Sequence, residues 1–187
     1  MNPYKEVEDS LWIGVDHFLQ HIGKEATVIF SHASGLEPKG NYIVIQVIEL
    51  DDIGSAWKST NLEYHGEYST GVINNGYEVL VGFRFHGDDA GSISHQFDTL
   101  VKNSEQVRWM FQLNGLSPLN KNTLRRVPIL KEKDWHDVFS VDVRFTYTLQ
   151  TEEKVDWIES VGIHNLNNDE KMCIDLNKKQ LCEENNG

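Results

Sequence analysis

His17 and His21 stand four residues apart in a stretch of helical character, the spacing at which two side chains on one helix face share a metal ion. The protease form of that pair sets a glutamate directly after the first histidine, whereas here Phe18, Leu19 and Gln20 intervene. Phe18 and Leu19 belong to an apolar stripe, which puts both histidines on the flank of the helix as exposed residues. His86-Gly87-Asp88-Asp89 also offers nitrogen and oxygen donors, and His17, His21 and Asp88 together would suit a small metal-dependent hydrolase. The plainer reading of those four residues is a turn into a helix, with carboxylates where a helix N-terminus favours negative charge. No Gly-Lys-Ser/Thr accompanies Gly87 and Gly91, and no Gly-X-Ser-X-Gly elbow occurs. Asp51-Asp52 and Glu152-Glu153 are adjacent pairs whose side chains point apart, as on a solvated surface. Cys173 and Cys182 are too few for a cysteine zinc site and are expected as reduced, accessible thiols. The residues predict no catalytic group, metal or cofactor.

The elements that would position any site are clearer. From Phe139 to Leu149 the odd positions are Phe, Val, Val, Phe, Tyr and Leu, and the even ones are Ser, Asp, Arg, Thr and Thr. That period of two predicts a long strand over 138–149 with one buried face. Residues 77–85 repeat the pattern, then pass through the Gly-Asp-Asp turn into a predicted helix over 90–113. Residues 6–23 read as a first helix, with Val7, Leu11, Val15, Phe18, Leu19 and Ile22 as its apolar stripe and Gly23 as its stop.

A brief strand is predicted at 26–30 and a strand apolar on both parities at 42–50, with a loop at 31–40 between them. Residues 51–76, polar and glycine-containing, predict a protruding loop or hairpin with one arm at 62–68, closed by a tight turn at Asn75-Gly76. Residues 116–121 read as loop and 124–130 as an edge strand carrying Pro128. A charged hairpin turn follows at 131–136, and a last edge strand at 152–163. The predicted fold is α+β: a mainly antiparallel sheet with two helices packed on one face. Residues 1–163 form one domain in this reading, and 164–187 a mobile polar tail.

The bulk numbers exclude several classes. A chain of 187 residues suffices for one domain with a real core, and its mean hydropathy of −0.46 fits a globular, soluble protein. No apolar run is long enough for a membrane span, and the N-terminus lacks a signal-peptide profile, so cytoplasmic assembly is expected. The formal charge of −12 opposes general nucleic-acid binding, which rests on Lys and Arg meeting phosphates. It suits a surface past which DNA slides. The candidate subunit-interface residues are Trp57, Tyr64 and Tyr68 in the protruding segment, the doublet Arg125-Arg126, and Trp135 in the charged turn. Trp109 and Trp157 are noted with them.

Three segments carry a resemblance: the strand and turn from Tyr77 to Ala90, then Leu124-Arg-Arg-Val-Pro, then Trp135 to Tyr147 with its Asp-Val-Arg-Phe run, closed by Val155-Asp-Trp-Ile-Glu-Ser-Val. In this order they resemble the phage neck or tail terminator family over residues 42–161, with 4–23 as the family's first helix. Members of that family carry tyrosine or phenylalanine before the Gly-Asp turn, and His86 stands there in this chain. The resemblance implies a non-enzymatic structural protein of the virion, assembled in the host cytoplasm. It implies a homo-oligomeric ring, commonly sixfold, at the head–tail junction, contacting neck, adaptor and tail proteins. DNA would pass through the lumen unbound, with no membrane or small-molecule partner. A head-completion or adaptor protein on the portal is the alternative within the particle, and the metal-dependent hydrolase the alternative outside it.

Overall fold

The computed structural model describes residues 2–54, 57–64, 68–131, 134–156, 160–165, 170–175 and 180–181, with side chains over 2–54, 72–130 and 136–151. Three helices occur among them, α1 (Pro3–Ile22), α2 (Ala90–Asn103) and α3 (Glu105–Gln112). The strands are β1 (Thr27–Phe30), β2 (Tyr42–Asp52), β3 (Trp57–Tyr64), β4 (Tyr68–His86), β5 (Leu116–Lys121), β6 (Arg125–Lys131) and β7 (Asp134–Asp156). They are followed by β8 (Ser160–Asn165), β9 (Glu170–Asp175) and β10 (Gln180–Leu181). The α+β class predicted from the sequence holds. The contacts divide the chain into two compact units, Met1–Trp57 with Asn74–Gln150, and Lys58–Ile73 with Thr151–Gly187.

The first unit holds the core. Its sheet runs β1-β2-β4-β7-β5, with β6 also paired to β7; β1 lies parallel to β2, while β2–β4, β5–β7 and β6–β7 are antiparallel. Ile43 and Ile45, Val79 to Phe85 at odd positions, and Val141 to Leu149 at odd positions are all buried. The parity read from the sequence is therefore the parity of the fold. The helices bury Val7, Leu11, Val15 and Phe18 from α1, Ile93 and Phe97 from α2, and Val107 and Phe111 from α3. Ring contacts tie the two layers: Phe83 lies 4.7 Å from Phe97, and Phe111 lies 5.4 Å from Phe145. Gly14 lets α3 approach α1, since a Cβ there would sit 2.5 Å from the Phe111 ring.

Several boundaries differ from the sequence reading. The first helix starts at Pro3 because Asn2 Oδ1 accepts the Tyr4 N–H at 3.2 Å and proline suits the first helical turn. The second predicted helix is two. Ser104 donates its N–H to Leu100 O at 2.9 Å, closing α2, while its Oγ accepts the Val107 N–H at 3.3 Å, opening α3. Residues 116–121 are a strand, not a loop, because β7 is long enough to pair both β5 and β6 along one side. Pro118 is tolerated there, on an edge strand beside an irregularity in the pairing.

Asn75-Gly76 is not a turn but lies inside β4, held extended because β2 continues opposite it: Asp52 pairs with Tyr77, and Ile53 N–H reaches Gly76 O at 3.1 Å. The hairpin expected in 51–76 is present as β3 paired with β4, and the residues between those strands, 65–67, lie outside the described ones. Of the charged turn expected at 131–136, Lys131 ends β6, Asp134 begins β7, and 132–133 lie outside the described residues.

In the second unit, Ser160–Asn165, Glu170–Asp175 and Gln180–Leu181 form an antiparallel three-stranded sheet, β10-β9-β8. The segment expected as a polar tail thus contains strands, because hydrogen-bonded ladders form there despite the low apolar content. The strand expected over 152–163 is shared between the end of β7 and the start of β8.

The turn into α2 is the most constrained point of the first unit. Gly87 has φ +100°, and a Cβ on it would lie 2.5 Å from Asn41 Oδ1 and 2.7 Å from Gly40 O. Asn41 in turn accepts the Asp89 N–H at 2.9 Å, and Lys24 reaches the Asp89 carboxylate at 3.3 Å. Gly87→Ala combines a left-handed backbone with a backbone clash. Strain alone costs about 1–3 kcal/mol, so the thermal midpoint should fall by roughly 5–10 °C. An unchanged midpoint would remove this turn from the determinants of the fold.

Tyr147 gives a second check on the α1–sheet packing. Burial raises its hydroxyl above the ordinary 10.0, and the nearby Glu6 carboxylate raises it further, while a hydrogen bond with Ser10 works the other way. A raised value means the folded state holds the proton longer, so this stabilisation is complete below pH 10.0 and is lost as pH rises through the folded value. Melting curves above that pH should fall less steeply for Tyr147→Phe than for the wild type. Equal slopes would show that the hydroxyl is not buried against α1.

Candidate assembly interface

The face of the sheet turned away from the helices is polar and paired. Arg144 binds the Glu78 carboxylate, Arg125 Nη2 lies 2.7 Å from Asp142 Oδ2, and Arg84 reaches Gln46 at 3.4 Å. Gly82 lies at its centre, where a Cβ would stand 3.2 Å from Ile48 Cδ1. A depression of about 70 Å³ beside it is lined by Leu80, Asn120, Lys121, Asn122, Asp142 and Arg144. That volume admits a water or two but falls far short of the roughly 300 Å³ at which small-molecule sites begin.

The arginine doublet lies on β6, the outermost strand. Both side chains reach diagonally back to β7, Arg125 to Asp142 and Arg126 to Asp137 through its Nε at 2.8 Å and its Nη2. The Arg126 hydrogen bonds hold the Asp137 carboxyl below its ordinary range; slight burial opposes this and the guanidinium charge adds to it. Such exposed pairs are screened by solvent and cost little to separate. Trp57 and Tyr64 fall on β3, Tyr68 on β4 and Trp135 on β7, with side chains outside the described ones. Trp157 lies outside the described residues.

Two exposed tryptophans lie on the helical layer, Trp109 on α3 and Trp12 on α1. Trp12 escapes the sequence reading, although its place one residue beyond Leu11 puts it just off the buried stripe. An open groove of about 620 Å³ runs along Trp109, between Glu105, Gln106, Arg108 and Gln112. His17 is half-buried, while His21 and Asp88 are exposed. No three His, Cys, Asp or Glu side chains converge as a metal cluster among the described residues, so the hydrolase reading gains no ligand set from them. No described helix is long and apolar enough to cross a membrane.

His86 departs from the aromatic residue expected before the Gly-Asp turn, yet its ring stacks on Tyr42 at 4.4 Å with an interplanar angle of 8°. The imidazole thus supplies the flat contact a phenyl ring would give at that position.

The sequence pattern of the phage neck terminator protein matches residues 4–169, and the chain belongs to that family. Its role is accordingly that of a structural phage neck protein. No curated protein matches the chain.

Proposed function

We propose that this protein forms a closed, non-catalytic ring, hexameric in arrangement, at the head–tail junction of a phage particle, where it terminates the tail or joins it to the neck. The observation that carries the reading is a family match spanning both the helical layer and the sheet. A sheet whose opposite edges both remain without a strand partner among the described residues supports it. Ring closure uses heterologous contacts, in which one patch meets a different patch on the next subunit. The contributors are β6 with Arg125 and Arg126, the β3–β4 hairpin with Trp57, Tyr64 and Tyr68, and the start of β7 with Trp135. The net charge of −12 suits a lumen that DNA traverses without adhering. The test is electron microscopy of particles made with and without the protein. Particles lacking it should show heads without joined tails, or tails of abnormal ends, and should lose DNA. Normal joined particles in its absence would overturn the reading.

A further inference from the structure

The two edges of the first unit's sheet differ in charge. Strand β2 pairs with β1 only through residues 42–45, whereas its pairing with β4 continues to Asp52. Over residues 46–52 its outer side therefore has no strand partner among the described residues, and that stretch reads Gln-Val-Ile-Glu-Leu-Asp-Asp. At the far end of the sheet, β6 pairs among the described residues with β7 alone, and it reads Arg-Arg-Val-Pro-Ile-Leu-Lys. One edge has three carboxylates and no cation; the other has three cations and no carboxylate. Both also expose aliphatic side chains, Ile48 on β2 and Val127 and Leu130 on β6.

Charges, a proline and a bulge on edge strands are common devices against unwanted pairing, and part of the pattern serves that end. The signs make the protection selective. Carboxylates facing carboxylates bar β2 from β2, and cations facing cations bar β6 from β6, but β6 against β2 is attractive. We propose that β6 of one copy adds to the free edge of β2 in the next, so that the sheet continues head-to-tail from copy to copy. This names a contact for the ring proposed above and rests on that reading. Unpaired backbone groups on both edges supply the ladder, as in other strand additions. Pro128 has no N–H to give, which limits the ladder's length. The exposed Arg125–Asp142 and Arg126–Asp137 pairs hold little energy, so their guanidiniums can be shared with carboxylates across the contact. The irregularity between Val47 and Glu49 adds local twist, so each added copy is rotated against the last, as a closing ring requires.

The test is sedimentation velocity of the full chain over a concentration series at low salt. It compares the wild type, an Arg125→Glu/Arg126→Glu variant and an Asp51→Lys/Asp52→Lys variant, with circular dichroism to check folding. Val127→Glu, at an exposed β6 position without an ion pair, replaces the first variant should that one fail to fold. The wild type is expected to associate, and each variant to associate about a hundredfold more weakly or worse, since both of its edges now have the same net sign. An equimolar mixture of the acidic-edged and basic-edged variants should regain association. Added salt should weaken the wild-type contact. A wild type that stays monomeric, variants that associate like it, or a mixture that does not recover would each overturn the pairing. The ring itself is decided separately, by the particle images.

Discussion

Val143→Asp should abolish the cooperative thermal transition of this protein at neutral pH. Val143 is 1% exposed and stands midway along the buried face of β7, between Val141 and Phe145 and opposite Lys121 on β5. The cation opposite it, the Lys121 ammonium, is already engaged by Asp98 of α2, so an added carboxylate finds no free partner there. An uncompensated buried charge costs about 3–5 kcal/mol, and the lost burial of the valine adds roughly 1.5–3 kcal/mol. Domains of this size have about 5–15 kcal/mol in all, so most or all of the stability goes. Thr148→Asp places the same charge on the exposed parity of the same strand and should change stability by no more than about 0.5 kcal/mol. Circular dichroism melts of the two variants make the comparison. A normal melt for Val143→Asp would mean that β7 is not the centre of the core.

That the critical strand can be chosen from the sequence reflects what periodicity encodes. Phe139 to Leu149 alternates without a fault because one face of β7 is covered by helices and the other is not, and a shift of one residue would exchange them. The outline of β4 and the stripe of α1 were legible for the same reason. The break between α2 and α3 left a trace, since Val101 and Val107 stand six apart with Ser104 and Glu105 where a continuing stripe needs apolar side chains. Long-range pairing left none. Asn75-Gly76 has the composition of a tight turn, and only the continuation of β2 opposite it makes it strand. Residues 116–121 look like loop because an edge strand needs little apolar content and tolerates Pro118. The proposed interface is legible as residue types only. Arg125 and Arg126 were identifiable as a doublet, but their diagonal ion pairs depend on the β6–β7 register. Likewise, the free stretch of β2 appears only once β1 is seen to pair with just its first residues.

Phe97→Ala should give the largest loss of stability among substitutions that add no charge. The ring of Phe97 lies at the meeting point of the layers, 5.1 Å from Phe18 of α1, 4.7 Å and 5.5 Å from Phe83 and Phe85 of β4, and 6.4 Å from Phe111 of α3. Four side chains from three elements therefore lose a shared neighbour at once. The sheet cannot move in to fill the space, because its strands are fixed by their ladders, and α1 is held against α3 where Gly14 meets Phe111. A cavity that cannot collapse puts the cost at the upper part of the usual range for Phe→Ala, about 3–5 kcal/mol. For a chain of this length that lowers the thermal midpoint by roughly 6–20 °C. Phe97→Leu keeps most of the volume and should lose less than half as much. The change enlarges no surface and alters neither sheet edge, so at low temperature, where the variant remains folded, the proposed head-to-tail association should be unaffected. Urea titrations of both variants at one pH supply the free energies. A loss below about 1 kcal/mol for the alanine variant would mean that α2 does not bridge α1 and the sheet, and the layered core described above would have to be redrawn.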